Sequence, residues 1–263
     1  MIKHFHEFRD PVYNFVKLET DERSIVDSVP VQRLRSVHQL ALEYLLYPGA
    51  THKRFEHSLG VMHLSGRVFE SITRTDRRHP EIVAQIPELT NERHLANSKM
   101  MLRAAGLCHD VGHPPFSHAA EELFSANANH EDLTVAIIDG PAMADIWTSM
   151  VSAPLRPRDV AKLAVGTKIL NQEQFTNWQA ILSEIIVGDA FGVDRIDYLL
   201  RDSLHAGVAY GKFDYERLIE SLWILPKQYE PDSDGTSEPA LGVEEGGLHS
   251  AEALLLARYF MFT

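Results

Sequence analysis

The sequence predicts a mainly α domain: a helical bundle with a short N-terminal β-hairpin and minor β structure near 224–247. Three observations carry this expectation. Apolar residues recur at helical spacing in long segments such as 28–46 and 56–72. The stretch SKMMLRAAGLCHD at 98–110 is apolar almost all round, as a buried helix would be. β-prone residues, by contrast, gather in a few short runs bounded by Pro and Gly. The chain has 263 residues, 44% hydrophobic and 24% charged, which is ordinary globular composition. We expect a single domain, 1–263, with a core that needs no covalent staples.

The elements follow in order. Residues 10–19, DPVYNFVKLE, place Val12, Phe15, Val16 and Leu18 in a short hairpin with Pro11 at its edge. Ser28 precedes a helical pattern with Pro30 in its first turn and Val31, Leu34 and Ala41 at helical spacing. That helix is expected to run on to a stop before Pro48-Gly49. A second helix covers 56–72, and 76–98 is a polar excursion with Pro80 and Pro87. After the buried helix at 98–110, Gly112, Pro114 and Pro115 break the chain, and Ser117 caps a following helix HAAEELF. Further helices are expected at 131–139, 157–170, 177–187, 191–205 and 214–223. Residues 227–247 form a loop or short irregular hairpin. The closing segment SAEALLLARYFMFT is a strong helix whose apolar finish leads us to expect a natural continuation.

The formal net charge is −12, which argues against a general nucleic-acid binder, since that role needs a basic footprint. A phosphorylated substrate would need a bound cation and a local group of Arg and Lys to reverse the sign. The one cysteine, Cys108, excludes an internal disulfide, favours a reducing, cytoplasmic setting, and reads as a small buried hydrophobe. The first residues lack the apolar stretch of a secretory signal. No run of 18 apolar residues exists, so no membrane span is expected.

The chemistry centres on His109-Asp110, which ends the buried apolar helix. Imidazole nitrogens and carboxylate oxygens hold divalent ions at about 2.0–2.2 Å. A buried Asp also needs a cation or a dense set of hydrogen bonds. Histidine recurs nearby: HDVGHPPFSH holds three within ten positions, and His57 opens another helix in RFEHSLGV. His118 and Glu121 are three apart, so they share a helical face suited to proton transfer. Asp194, Tyr198 and Asp202 are spaced i, i+4, i+8 and form one stripe, with Ile196, Leu199, Leu200 and Leu204 on the other face.

Three blocks, RFEHSLGV, HDVGHPPFSH and Asp194-Arg195-Ile196-Asp197-Tyr198, resemble the HD superfamily of metal-dependent phosphohydrolases. More narrowly they resemble its deoxynucleoside triphosphate triphosphohydrolase branch, which includes dGTPases. The resemblance implies metal ligands at His57, His109, Asp110 and Asp194. Ligands of this type suit Mn, Fe, Mg, Ni or Zn. It implies attack of activated water on the α-phosphorus, giving deoxynucleoside and intact triphosphate. It places an acid/base pair at His118 and Glu121, and further phosphate-side histidines at His113 and His130. Arg54 and Arg195 would meet phosphates, where relatives often have Lys in place of Arg195. Gln39, Tyr198 and Asp202 would contact the sugar, Asp202 accepting the 3′-hydroxyl. Asp27, Gln32 and Arg35 match a guanine-nucleotide effector site. The branch forms homo-oligomers and carries a further C-terminal lobe that this chain is expected to lack. Other HD phosphohydrolases act on monophosphates, cyclic dinucleotides or alarmones. A non-catalytic nucleotide sensor is the alternative outside enzymes.

Overall fold

The computed structural model describes residues 6–124, 128–150, 154–226 and 239–261, with the side chain of His118 outside the described set. Two strands, β1 (His6–Asp10) and β2 (Asn14–Leu18), open the chain as an antiparallel hairpin with Phe8 opposite Val16. Its turn is held by Asp10, whose Oδ1 accepts from the backbone N–H of Val12 at 2.8 Å and of Tyr13 at 2.9 Å. Short helices α1 (Thr20–Val26) and α2 (Val29–Arg33) follow. The long helix α3 (Arg54–Ile72) packs along α5 (Glu92–Cys108), with the short α4 (Pro80–Gln85) between them in sequence. Asn91 caps α5 by accepting from the N–H of Arg93 and His94.

The second half adds α6 (His130–Ile138), α7 (Pro141–Ser149), α8 (Pro157–Ile169) and α9 (Asn177–Val187), with α8 packed on α9, α5 and α6. Helix α10 (Val193–Ala206) lies against α3. Then come α11 (Tyr215–Glu220), the antiparallel pair β3 (Leu222–Pro226) and β4 (Pro239–Val243), and α12 (Leu248–Met261). The architecture is the mainly α bundle with an N-terminal hairpin that the sequence predicts, and the minor β structure expected near 224–247 is the β3–β4 pair, with 227–238 outside the described residues. No helix among the described residues is long and apolar enough to cross a membrane.

Three local expectations are corrected. The helix expected from Ser28 to Leu46 stops at Arg33. At Val37 the backbone becomes extended (φ −100°, ψ 116°), because His38 bridges Lys53 and Gln39 N–H donates to His52 O at 3.0 Å. Leu45 and Leu46 are consequently exposed, at 70% and 79%, although they continue the helical pattern. The segment after Pro115 is a 3₁₀ helix, Ser117–Leu123, and not an α-helix. It is entered through Phe116 and Ser117, both left-handed (φ 69° and 56°), a geometry that a regular α-helical N-terminus does not admit. In α10, Leu204 is exposed, and the charged Asp197 and Arg201 are buried with Ile196 and Leu199. Helix α7 arises where no helix was expected, Pro141 occupying its first turn.

Candidate metal centre

Three helix ends meet at one point. His57 lies in the first turn of α3, His109 directly follows α5, and Asp194 lies in the first turn of α10. Asp110 is in the turn after α5, where Val111 N–H donates to Cys108 O and His113 N–H to Asp110 O. His57, His109 and Asp110 are buried, with ligand atoms all within 4.8 Å of one another. His57 Nε2 lies 3.0 Å from Asp194 Oδ1 and 3.9 Å from Asp110 Oδ2. His109 Nε2 lies 3.5 Å from an oxygen of each of the same two carboxylates.

The other ring nitrogens fix the tautomers. His57 Nδ1 is 2.7 Å from Asp197 Oδ2, and His109 Nδ1 is 2.9 Å from Gly106 O. A carboxylate and a carbonyl only accept, so each Nδ1 carries a proton, and each ring in its neutral form presents an Nε2 lone pair to the centre. Both Nε2 atoms are buried without a hydrogen-bond partner. Two orphaned imidazole lone pairs beside two carboxylates are the donor set that a divalent cation satisfies. Where no cation is bound, the same carboxylates draw a proton to the ring instead. Burial opposes protonation of His57, yet the Asp194 and Asp197 carboxylates carry its pKa up to about 10. Burial likewise opposes ionisation of Asp194, but the two imidazoles hold its carboxyl below the ordinary range. The centre therefore selects positive charge.

A second histidine group adjoins the first. His113 stacks on His130 with ring centroids 3.8 Å apart, and both share a cluster with Asp110. His130 Nδ1 is 2.5 Å from Glu121 Oε1. The structure thus brings Glu121 to His130; the side chain of His118, paired with Glu121 in the sequence reading, lies outside the described residues.

The remaining candidates divide. Arg54 is buried, its Nη1 donating to Asp110 Oδ2 and its Nη2 to Ser117 Oγ at 2.6 Å. Arg195 lines a cavity of about 650 Å³ together with His109, Asp110, His130, Asp194 and Lys168. Arg195 Nη1 is buried without a hydrogen-bond partner. Tyr198, Asp202, Gln39 and Arg54 do not line that cavity. Asp202 accepts instead from His52 Nε2 at 2.7 Å, and Gln39 Oε1 is buried without a partner. Of the effector candidates, Asp27 lines a separate cavity of about 360 Å³ with His6 and Arg23. Gln32 and Arg35 bond each other at 2.9 Å, outside that lining.

Sequence reasoning missed Asp197, Arg201, His52 and Asp10. Asp197 and Arg201 carried a signal, an i, i+4 acid–base pair, but such a pair ordinarily reads as a solvated helix face. Cys108 is fully buried and its thiol is pushed up to about 12 by that burial, which fits an inert core residue.

A mainly α bundle with two histidines and two aspartates converging at helix ends defines a class, and comparison gives it a name. Residues 54–142 match the HD domain family. It resembles the deoxynucleoside triphosphate triphosphohydrolase SAMHD1 of Danio rerio, 30% identical over 81% of this chain and 35% of that protein. It is also similar to the uncharacterized protein YwfO of Bacillus subtilis, 32% identical over 97% of the chain and 50% of the relative. A hypothetical protein from Aquifex aeolicus of known crystal structure superposes with a TM-score of 0.74 at 37% identity, over 98% of this chain and 58% of that one. The chain spans about half the length, or less, of the curated relatives it matches.

Proposed function

We propose that this protein is a metal-dependent phosphohydrolase that converts deoxynucleoside triphosphates to deoxynucleoside and inorganic triphosphate. The observation that carries the reading is the pair of orphaned Nε2 atoms of His57 and His109, which face Asp110 and Asp194 beside a nucleotide-sized cavity. His57, His109, Asp110 and Asp194 would hold the ion, which is Mn, Fe, Mg, Ni or Zn by donor type. When bound, a divalent cation supplies Lewis acidity and positive charge at the α-phosphoryl group.

The chain's own groups do the rest. Arg195 donates its unpartnered Nη1 to a phosphate oxygen in the cavity. Lys168 lies at the same wall paired with Asp189, and would have to exchange that carboxylate for a phosphate oxygen. Arg54 fixes Asp110 in place and contributes a guanidinium near the phosphates. Glu121 orients His130 as a proton carrier for water or the leaving 5′-oxygen, with His113 stacked behind it and His118 on the same 3₁₀ turn as Glu121. Gln39, Tyr198 and Asp202, which stand outside the cavity's lining, are assigned to the sugar in this reading, with Asp202 accepting the 3′-hydroxyl. A guanine-nucleotide effector would enter beside Asp27, with Gln32 and Arg35 released from each other to meet it. A homo-oligomer is part of the same proposal, and the reaction needs neither a membrane nor nucleic acid.

The test is product analysis after incubation of the protein with each dNTP and Mn²⁺, with and without GTP. Deoxynucleoside plus intact triphosphate is the expected result. Turnover of a monophosphate, a cyclic dinucleotide or an alarmone, with dNTPs untouched, would replace the substrate class. Tight nucleotide binding without any product would leave a sensor.

A further inference from the structure

We propose that Asp197, Arg201 and Asp10 form a positioning relay that holds His57 as a metal ligand and ties its orientation to the N-terminal hairpin. The proposal rests on the assignment of His57 to the metal centre and goes beyond it, because none of these three residues touches the ion or the substrate.

The links are continuous and dry. Asp197 Oδ2 takes the His57 Nδ1–H at 2.7 Å and also accepts from Arg201 Nε at 2.9 Å. Asp197 Oδ1 accepts from Arg201 Nη2 at 2.9 Å. This two-point bond stops the carboxylate from rotating away from the imidazole. Arg201 Nη1 donates to Asp10 Oδ2 at 2.9 Å, which in turn stops the guanidinium from rotating. The other oxygen of Asp10 is committed to the turn between β1 and β2. The side chains of His57, Asp197, Arg201 and Asp10 are 1%, 0%, 0% and 4% exposed, so water does not compete for any bond.

Two further features point the same way. Gly60 lies three residues after His57 on α3. A Cβ there would sit 1.8 Å from Asp197 Oδ1 and 2.5 Å from Arg201 Nη2. The bare glycine lets the relay approach the helix that carries the ligand. The relay also combines two carboxylates with one guanidinium, so a net negative charge faces the Nδ1–H. That charge polarises the ring and makes Nε2 a stronger donor to a cation. A buried ion pair is a poor way merely to join α10 to α3, since apolar side chains of equal volume do so without the desolvation cost.

Metal affinity is the property to measure. Asp197→Ala combined with Arg201→Met removes that pair of charges together, while Asp10 loses its guanidinium and keeps the N–H groups of Val12 and Tyr13. Mn²⁺ titration calorimetry on the metal-free protein should show binding weakened by about 10–100-fold, the usual cost of losing a group behind a histidine ligand. The thermal midpoint of the metal-free double variant should stay near that of the parent. The slowly exchanging Nδ1–H resonance of His57 should disappear. Asp10→Asn, which keeps the turn acceptor and loses one charge, should weaken Mn²⁺ by a smaller factor. A folded double variant that binds Mn²⁺ as tightly as the parent would overturn the relay. Should the double variant not fold, Asp197→Asn answers the same question, and unchanged Mn²⁺ affinity there overturns the relay equally. His57→Ala separates this failure from failure of the centre. Undiminished Mn²⁺ uptake in that variant sinks both proposals. Loss of uptake there, with tight binding in the double variant, sinks the relay alone.

Discussion

Single nitrogen atoms decide the chemistry at the residue scale. His57 and His109 each spend Nδ1 on a pure acceptor, so each ring in its neutral form offers Nε2 as the lone pair. His130 Nδ1 likewise lies against a carboxylate, that of Glu121, outside the four proposed metal ligands. Glu121→Gln should therefore lower kcat by about 10²–10³ while leaving Mn²⁺ content intact, because the acid/base ring loses its counter-charge. Steady-state kinetics alongside metal analysis checks this, and an unchanged kcat would remove the pair from the reaction. His109-Asp110 was legible in the sequence because two ligand-type residues stood where an apolar helix ends. Asp197 was not, because one acidic residue four before an arginine describes most exposed helix faces as well as it describes this buried one.

At the scale of elements, the centre depends on how closely α10 can approach α3. Gly60 sets that distance, since any side chain at this position would strike Asp197 and Arg201. Gly60→Ala should destabilise the protein by about 1–3 kcal/mol through overpacking and reduce metal binding at the same time. Denaturant unfolding and Mn²⁺ titration on the same preparation test both effects; a variant of parental stability would show that α10 yields easily. Helices α3, α5, α8, α9 and α10 were readable because each keeps an apolar stripe over several turns. The failed helix between Arg33 and Leu46 had the same stripe. There the extended pairing of Val37–Gln39 with His52–Arg54 won over local propensity, and that pairing is what presents His52 and Arg54. Contacts between residues so close in sequence but paired as strands leave no mark on a helical period.

Over the whole molecule, binding of a cation is coupled to folding. The folded chain offers a converged ligand set and the unfolded chain does not, so Mn²⁺ must stabilise the native state. At 100 times its dissociation constant the gain is about 2.7 kcal/mol, or roughly 5–10 °C in Tm for a chain of this size. Differential scanning calorimetry with Mn²⁺ and after chelation measures it directly, and equal Tm values at saturating metal would remove the proposed centre. The net charge of −12 is matched at the cavity, where Asp110, Glu131, Glu184, Asp189 and Asp194 stand against Arg195 and Lys168, so a phosphate group needs the cation to reverse the local sign.

The donors that converge at the centre stand far apart along the chain, His57 on α3 and Asp194 at the start of α10. During synthesis the two imidazoles and Asp110 leave the ribosome long before Asp194 does. A nascent chain therefore presents an incomplete set of the proposed ligands until α10 has docked and Arg201 has met Asp10, 191 residues away in sequence. With the proposed ligands, metal acquisition would mark the end of folding and not its nucleation, and a cell short of the right ion would accumulate chains that are finished in shape but empty.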